Sequence, residues 1–241
     1  VIWILLGAIS LITAFNAYLF YIRVRPRGGF SPSHAKELLA YGLKSYWGGL
    51  SWMANARLDQ LIMSSMVGLS DLGQYAVAVS YGTATFPLSS SFAMVLFPRV
   101  AGDPSARAVG KIRTALKHNL AFSGAMALVL GFACPWLLPL LFGEAFRNAV
   151  APALVLLVAA VFLGSNYVLS DGIRGLGAPL VASYAEMMAA VITVLGLLVL
   201  LPSMGIMGAA LVSLVAYGTV TLMLVFKLRG MSVLEAPNAR S

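Results

Sequence analysis

Long apolar segments follow one another along almost the whole chain, separated by short stretches that hold most of the charged residues. A helix that spans a bilayer needs about 20 predominantly apolar residues. Seven segments reach that length: 1–22, 46–66, 75–97, 119–141, 150–170, 179–201 and 205–226. The segment 46–66 is the weakest because it contains Arg57 and Asp59. The pattern predicts an all-α polytopic membrane protein with about seven transmembrane helices.

Composition supports a membrane protein over a soluble one. Apolar residues make up 60% of the chain and charged residues 10%, whereas soluble domains average about 25% charged residues. The mean hydropathy is +0.91. One cysteine and two histidines exclude a disulfide framework or a site with several Cys and His ligands. No enzyme motif stands out, so we expect neither a metal, nor a cofactor, nor an enzymatic activity.

The basic residues predict the orientation of the chain. The net charge is +8, but the charge lies in loops, which favours a role in topology over nucleic-acid binding. Thirteen Lys and Arg residues occur in alternate loops and the tail, whereas the loops between them carry Arg147 alone. Because basic loops stay in the cytoplasm, we expect a bacterial inner-membrane protein with a cytoplasmic C-terminus.

Ser33 is a candidate N-cap for an amphipathic segment over residues 33–45, which leads into the second span. The chain begins inside an apolar run at Val1. We therefore expect it to be a piece of a longer protein.

The most informative polar residues are those inside the second span. Arg57 and Asp59 lie near its centre, with Asn55 beside them. At 100° per residue, Asn55 and Asp59 share a helix face and Arg57 points away. A charge at the bilayer centre costs about 2.5–3.5 kcal/mol, so it should face the bundle interior or water. Two interpretations stay open, a polar cavity that contacts substrate and a salt bridge that holds helices together.

Three further residues are candidates for function. Glu186 lies about two turns inside the sixth span, and Asn166 could approach it from the fifth. This pair could couple transport to an ion, and a structural hydrogen bond is the alternative. Lys44 could extend to the membrane interface and contact an anionic headgroup.

Several short sequences resemble the polysaccharide transporters of the multidrug/oligosaccharidyl-lipid/polysaccharide exporter superfamily. In chain order they are Asn55-Ala-Arg57-Leu-Asp59, Val67-Gly68, Leu72-Gly73-Gln-Tyr75-Ala-Val-Ala78, Phe97-Pro98-Arg99, Leu140-Leu141-Phe142-Gly143 and Gly205-Ile-Met-Gly208-Ala209-Ala210. Each is weak alone, and their order and spacing across 38–226 carry the resemblance.

The resemblance implies a fold of two six-helix lobes. On this basis, 1–22 is the last helix of an N-terminal lobe that the chain otherwise lacks, and 23–37 is a basic cytoplasmic loop between the lobes. Residues 38–229 form the C-terminal six-helix lobe, and 230–241 form a cytoplasmic tail. The missing lobe of the same protein is then an expected partner.

The resemblance also implies a function, the translocation of an undecaprenyl-pyrophosphate-linked oligosaccharide across the membrane by alternating access. A cationic cavity between the lobes would receive the headgroup, with Arg57 and Asp59 carried over by motif position. The partners would be membrane lipid and this substrate. A cation-coupled multidrug exporter, a membrane glycosyltransferase or polymerase, and a purely structural subunit remain alternatives.

Overall fold

Seven α-helices occupy the part of the chain that the computed structural model describes, residues 2–24, 31–101, 103 and 107–235. Within these ranges the side chains of residues 2–6, 8, 24, 41, 44–57 and 232–235 are not described. The helices are α1 (Ile2–Val24), α2 (Pro32–Met66), α3 (Leu69–Gly82), α4 (Phe86–Ala101), α5 (Arg107–Phe142), α6 (Val150–Gly175) and α7 (Pro179–Glu235). Two short 3₁₀ helices, Thr83–Thr85 and Glu144–Ala149, precede α4 and α6. No β-strand occurs among the described residues.

The chain divides into two units, Val1–Gly42 and Leu43–Ser241. In the first unit, two polar side chains of α1 bond to the backbone of their own helix, as hydrocarbon surroundings favour. Thr13 and Asn16 donate hydrogen bonds of 2.8 Å to backbone carbonyls one turn earlier.

The start of α2 differs from the prediction. The helix begins at Pro32, so Ser31, not Ser33, precedes its first turn, and the Ser31 carbonyl accepts a 3.0 Å bond from the N–H of Ala35. Proline suits the first helical position because its missing N–H would have no partner there.

Helix α6 is the centre of the unit Leu43–Ser241, where it packs against α3, α4, α5 and α7. In the most apolar stretch of 18 residues in α6, 50% of the residues are buried, compared with 17% in the corresponding stretches of α5 and α7. Glycines make this close packing possible, since small residues let helix backbones approach each other. Gly164 faces Ser89 of α4, and Gly172 faces Ile112 of α5.

The contacts of α6 also fix the direction of its neighbours. Helices α3 and α4 run parallel to α6, with the contacts Gly82–Leu156, Ser89–Gly164 and Val100–Gly175. Helix α5 runs antiparallel, with the contacts Ile112–Gly172, Asn119–Ser165 and Gly131–Leu154. Because the helical residues from Leu69 to Ala101 follow one another without a gap, α3 and α4 together form a single crossing beside α6.

Helix α7 is a hairpin of two antiparallel arms, residues 179–204 and 206–235. Gly205 separates them with φ 57° and ψ −139°, a backbone conformation that favours glycine. Across the turn, Gly196 of the first arm faces Val212 of the second, and Gly208 of the second faces Leu200. The two predicted spans 179–201 and 205–226 are therefore separate helices, and the turn at Gly205 joins them without a loop.

The buried apolar side chains of the second unit form two clusters. One contains Leu138, Leu157 and Leu201, and the other contains Ile112, Leu169 and Leu224.

Between these clusters, buried hydroxyl and carboxamide side chains occur on each crossing from Leu69 onward. We call this set the polar belt. Its members are Thr85, Ser89, Asn119, Ser123, Ser165, Asn166, Thr193 and Ser213. The polar belt therefore lies about halfway along these crossings.

Apolar side chains also cover the outside of the bundle, the reverse of a soluble protein. Leu128 and Phe132 are each 77% exposed. Among the described residues, three helical segments are long and apolar enough to cross a membrane: Arg107–Phe142, Glu144–Gly175 and Pro179–Met231. The last holds both arms of α7, and a shorter apolar helix covers Ile9–Arg23. The predicted all-α polytopic membrane fold is confirmed.

We expect Gly164→Ala to lower the melting temperature of the full-length protein in detergent. An added Cβ would lie 2.6 Å from the Cβ of Ser89, and such overpacking costs about 1–3 kcal/mol. Melting can be followed by size-exclusion chromatography after heating.

Gly131→Ala is the matched control, because its added Cβ would meet its nearest neighbour at an ordinary 3.7 Å. Ser89→Gly combined with Gly164→Ala should recover part of the loss. A Gly164→Ala protein as stable as the control would contradict this account of the α4–α6 contact.

Candidate functional site

Asp59 of α2 and Tyr75 of α3 form a hydrogen-bonded pair inside the apolar bundle. The Tyr75 hydroxyl donates to Asp59 Oδ2 at 2.7 Å, and the backbone N–H of Gln60 donates to Asp59 Oδ1 at 2.8 Å. Asp59 is 7% exposed and Tyr75 is fully buried. An acidic group taken out of water in this way needs hydrogen bonds, and Tyr75 supplies one from a neighbouring helix.

The second arm of α7 extends this pair into a larger cluster. Ser213 lies close to the Tyr75 hydroxyl. One turn further on, Tyr217 is within electrostatic range of both Asp59 and Glu186. Glu186 belongs to the first arm of α7 and is 9% exposed. We call Asp59, Tyr75, Glu186, Ser213 and Tyr217 the carboxylate cluster.

The carboxylate cluster draws its members from α2, α3 and both arms of α7. Such an arrangement places two acidic side chains near tyrosine hydroxyl groups, which can donate hydrogen bonds to a carboxylate or to a polar ligand. Any relative movement of these helices would change the distances between its acidic groups.

Asn166 joins α6 to the second arm of α7. Its Nδ2 donates to the Tyr217 carbonyl at 3.0 Å, and the Thr221 hydroxyl donates to its Oδ1 at 2.6 Å. Both ends of the carboxamide therefore have partners next to the carboxylate cluster. Asn166 bonds to the second arm of α7, whereas Glu186 lies on the first arm. Tyr217 links these two predicted coupling candidates, because its carbonyl accepts from Asn166 and its side chain is within electrostatic range of Glu186.

The other predicted site residues lie on α2. The backbone of Lys44, Asn55 and Arg57 is helical, but their side chains are outside the described residues. Their predicted contacts with substrate stay predictions. The structure adds Tyr75, Ser213 and Tyr217, which the sequence analysis did not single out. Residues with hydroxyl groups are common in apolar helices, so the sequence alone does not show which of them belong to a site.

The remaining titratable residues do not form a metal site. Among the described residues, no three His, Cys, Asp or Glu side chains come together in a way that could hold a metal ion. Cys134 is buried among apolar residues and is not bonded to another cysteine.

The amino-acid sequence of the chain matches a known protein family. Residues 2–151 match the family described as "Polysaccharide biosynthesis protein", which is more than half of the chain. The chain belongs to this family. The match covers α1 to α5 and includes Asp59 and Tyr75.

Several solved structures that share the fold of this chain are membrane transporters. One is described as the outward-facing conformation of a multidrug resistance MATE family transporter of the MOP superfamily, with a TM-score of 0.61 and 19% identity. A MOP superfamily transporter from Pyrococcus furiosus, described as having a binding pocket of reversed polarity, gives the same values. A MATE structure in the bent conformation gives a TM-score of 0.58 and 19% identity.

These likenesses establish the fold of the chain. The matches cover 77–80% of this chain but 43–44% of the transporters' own length, so the chain spans less than half of the proteins it resembles. No curated protein matches the chain by sequence.

We expect Tyr75→Phe to destabilise the full-length protein by about 1.5–3 kcal/mol, because a buried carboxyl group loses a hydrogen-bond donor. Tyr81→Phe is the matched control on the same helix. Its hydroxyl donates to the neutral Leu130 carbonyl at 2.8 Å, a bond worth about 0.5–1.5 kcal/mol. Thermal unfolding in detergent measures both losses.

A double-mutant cycle isolates the pair. The loss on Tyr75→Phe should shrink in an Asp59→Ala background, where the acceptor is gone. An unchanged loss in that background would mean that the bond to Asp59 contributes nothing to stability.

Proposed function

We propose that the chain is part of an exporter that moves an undecaprenyl-pyrophosphate-linked oligosaccharide across the inner membrane for surface polysaccharide biosynthesis. The observation that carries the proposal is the membership of a polysaccharide biosynthesis family together with a transporter fold. The resemblance of the motifs around Asp59 and Gly205 to polysaccharide transporters supports the same function.

The physical problem of such a substrate is its headgroup. A sugar pyrophosphate cannot leave water for about 30 Å of hydrocarbon without polar partners. A transporter meets this need with a polar site near the middle of the membrane, which opens to one side at a time. In this proposal, α2 borders that site on two faces. Arg57 contacts phosphate through its guanidinium fork, and Asn55 and Asp59 contact the substrate from the other face of the helix. Lys44 contacts the headgroup nearer the cytoplasmic surface.

The carboxylate cluster supplies the coupling. Asp59 and Glu186 each lie within electrostatic range of Tyr217, so binding of a proton or cation at either carboxylate would change the electrostatics around this shared tyrosine. Because the members of the cluster lie on α2, α3 and both arms of α7, the occupied and empty clusters would favour different arrangements of these helices. Asn166 would transmit that change to α6.

The proposed exporter works in the bacterial inner membrane with the C-terminus in the cytoplasm. A second lobe of the same protein, preceding the C-terminal lobe over residues 38–229, completes the central cavity. The basic stretch 23–37 lies in the cytoplasm between the two lobes, and residues 230–241 form the cytoplasmic tail.

We expect Asp59→Asn, Glu186→Gln and Arg57→Ala in the full-length protein each to reduce glycan export to the level of a deletion strain. The first two remove carboxylate charge from the cluster, and the third removes the proposed phosphate contact. Surface glycan is measured by immunoblotting in cells, with membrane insertion checked by blotting of the membrane fraction.

Glu144→Gln is the matched control, since Glu144 is a highly exposed carboxylate that pairs with Arg147 at 2.7 Å. Its export should equal wild type. Normal export by well-inserted Asp59→Asn and Glu186→Gln proteins would refute the coupling role. Loss of drug resistance with intact export would favour the multidrug exporter instead.

We expect cysteines placed at Asp71 and Ser203 to react with a membrane-impermeant maleimide in intact spheroplasts. A cysteine at Arg107 should react only after permeabilisation. All three positions are exposed, so accessibility depends on the side of the membrane. A Cys134→Ala background removes the native thiol. The opposite labelling would overturn the proposed topology.

A further inference from the structure

A groove of about 840 Å³ lies between α4 and α5. It is outside the carboxylate cluster and shares no residue with it. One part of the groove is apolar and is lined by Leu88, Phe92, Val95 and Leu96. The other part is basic and is lined by Arg99, Arg107 and Lys111. We call it the α4–α5 groove.

The length of the α4–α5 groove matches one leaflet of a bilayer. From Leu88 to Arg99 the helix rises about 16 Å at 1.5 Å per residue, and half of the hydrocarbon core is about 15 Å. Leu88 is next to Ser89 of the polar belt, about halfway along the crossing. The groove therefore runs from mid-membrane to the basic end of α4.

The charges at the basic end are not equally available. Lys111 forms a 2.9 Å ion pair with Asp103 and donates to the Arg99 carbonyl at 3.0 Å, which ties α5 to the end of α4. Arg99 and Arg107 are exposed and form no ion pair with another residue in the described part of the chain. Arg107 also lies in the first turn of α5, where the helix dipole favours an anion.

We propose that the α4–α5 groove binds an anionic phospholipid of the leaflet that faces the basic loops. Arg99 and Arg107 contact its phosphate, since guanidinium groups match phosphate oxygens in geometry and charge. One acyl chain lies along Leu88, Phe92 and Val95. Two arginines with no carboxylate partner among the described residues favour a lipid of net negative charge over a zwitterionic one, because basic side chains near the membrane surface attract anionic headgroups. The proposal does not depend on the transported substrate.

Native mass spectrometry of the full-length protein tests the site with two probes of identical chains, dioleoyl phosphatidylglycerol and dioleoyl phosphatidylcholine. We expect the phosphatidylglycerol adduct to form at concentrations about tenfold lower. Arg99→Gln/Arg107→Gln should remove that preference. The matched control, Lys117→Gln/Lys227→Gln, loses the same charge from exposed positions outside the groove and should keep it.

A second variant acts through shape instead of charge. Gly110 lines the groove, and a Cβ added there meets nothing within 4 Å. Gly110→Leu should therefore fill the groove without straining the fold and lower phosphatidylglycerol binding with no change in charge. This variant keeps the test decisive if the double arginine variant does not fold.

Three outcomes would overturn the proposal. The first is equal binding of the two lipids. The second is an equal loss in the arginine variant and its lysine control, which would indicate general surface charge. The third is displacement of phosphatidylglycerol by a polyprenyl diphosphate at much lower concentration, which would make the groove an entry path for substrate.

Discussion

Hydrocarbon offers no hydrogen bonds, and this constraint shapes the placement of the polar side chains that hold the bundle together. A polar side chain in a crossing must bond to its own helix or turn inward to a partner. Thr13 and Asn16 take the first course, as do Ser123 and Ser213 of the polar belt. Asn119, Asn166 and the pair of Asp59 and Tyr75 take the second. Because the lipid is as apolar as the helix surfaces, apolar packing gives little net drive for helix association. Close contact at small residues and inward-facing polar groups then hold the bundle together.

Helix α6 is where these two requirements meet. Gly164 brings α4 within contact of α6, and its neighbour Ser165 accepts a bond from Asn119 of α5. Asn166, the next residue, bonds to the second arm of α7. Three consecutive residues therefore connect α6 to three neighbours, and they do so at the level of the polar belt. The carboxylate cluster lies beside this junction, so a change in its charge acts on helices whose packing is centred there.

Much of the fold could be predicted from the sequence because a membrane crossing is mainly a matter of length and apolar composition. The boundaries were harder to predict, since they depend on local geometry. Gly205 alone reverses α7, although the predicted spans 179–201 and 205–226 left three residues between them. Ser31 precedes the first turn of α2, where Ser33 was expected. Asp59 and Glu186 stood out because charges are rare in apolar runs. Tyr75 and Tyr217 could not be recognised, because their importance comes from positions that the fold brings together across 16 to 158 residues of chain.

The turn at Gly205 bears on how the protein is made. Its two arms are apolar, comparable in length and joined with almost no intervening chain, so both can lie in lipid with no polar loop to cross between them. Such a hairpin is suited to enter the lipid as a single unit. That hairpin carries Glu186 on one arm and Ser213 and Tyr217 on the other, so three of the five members of the carboxylate cluster belong to one continuous stretch of chain.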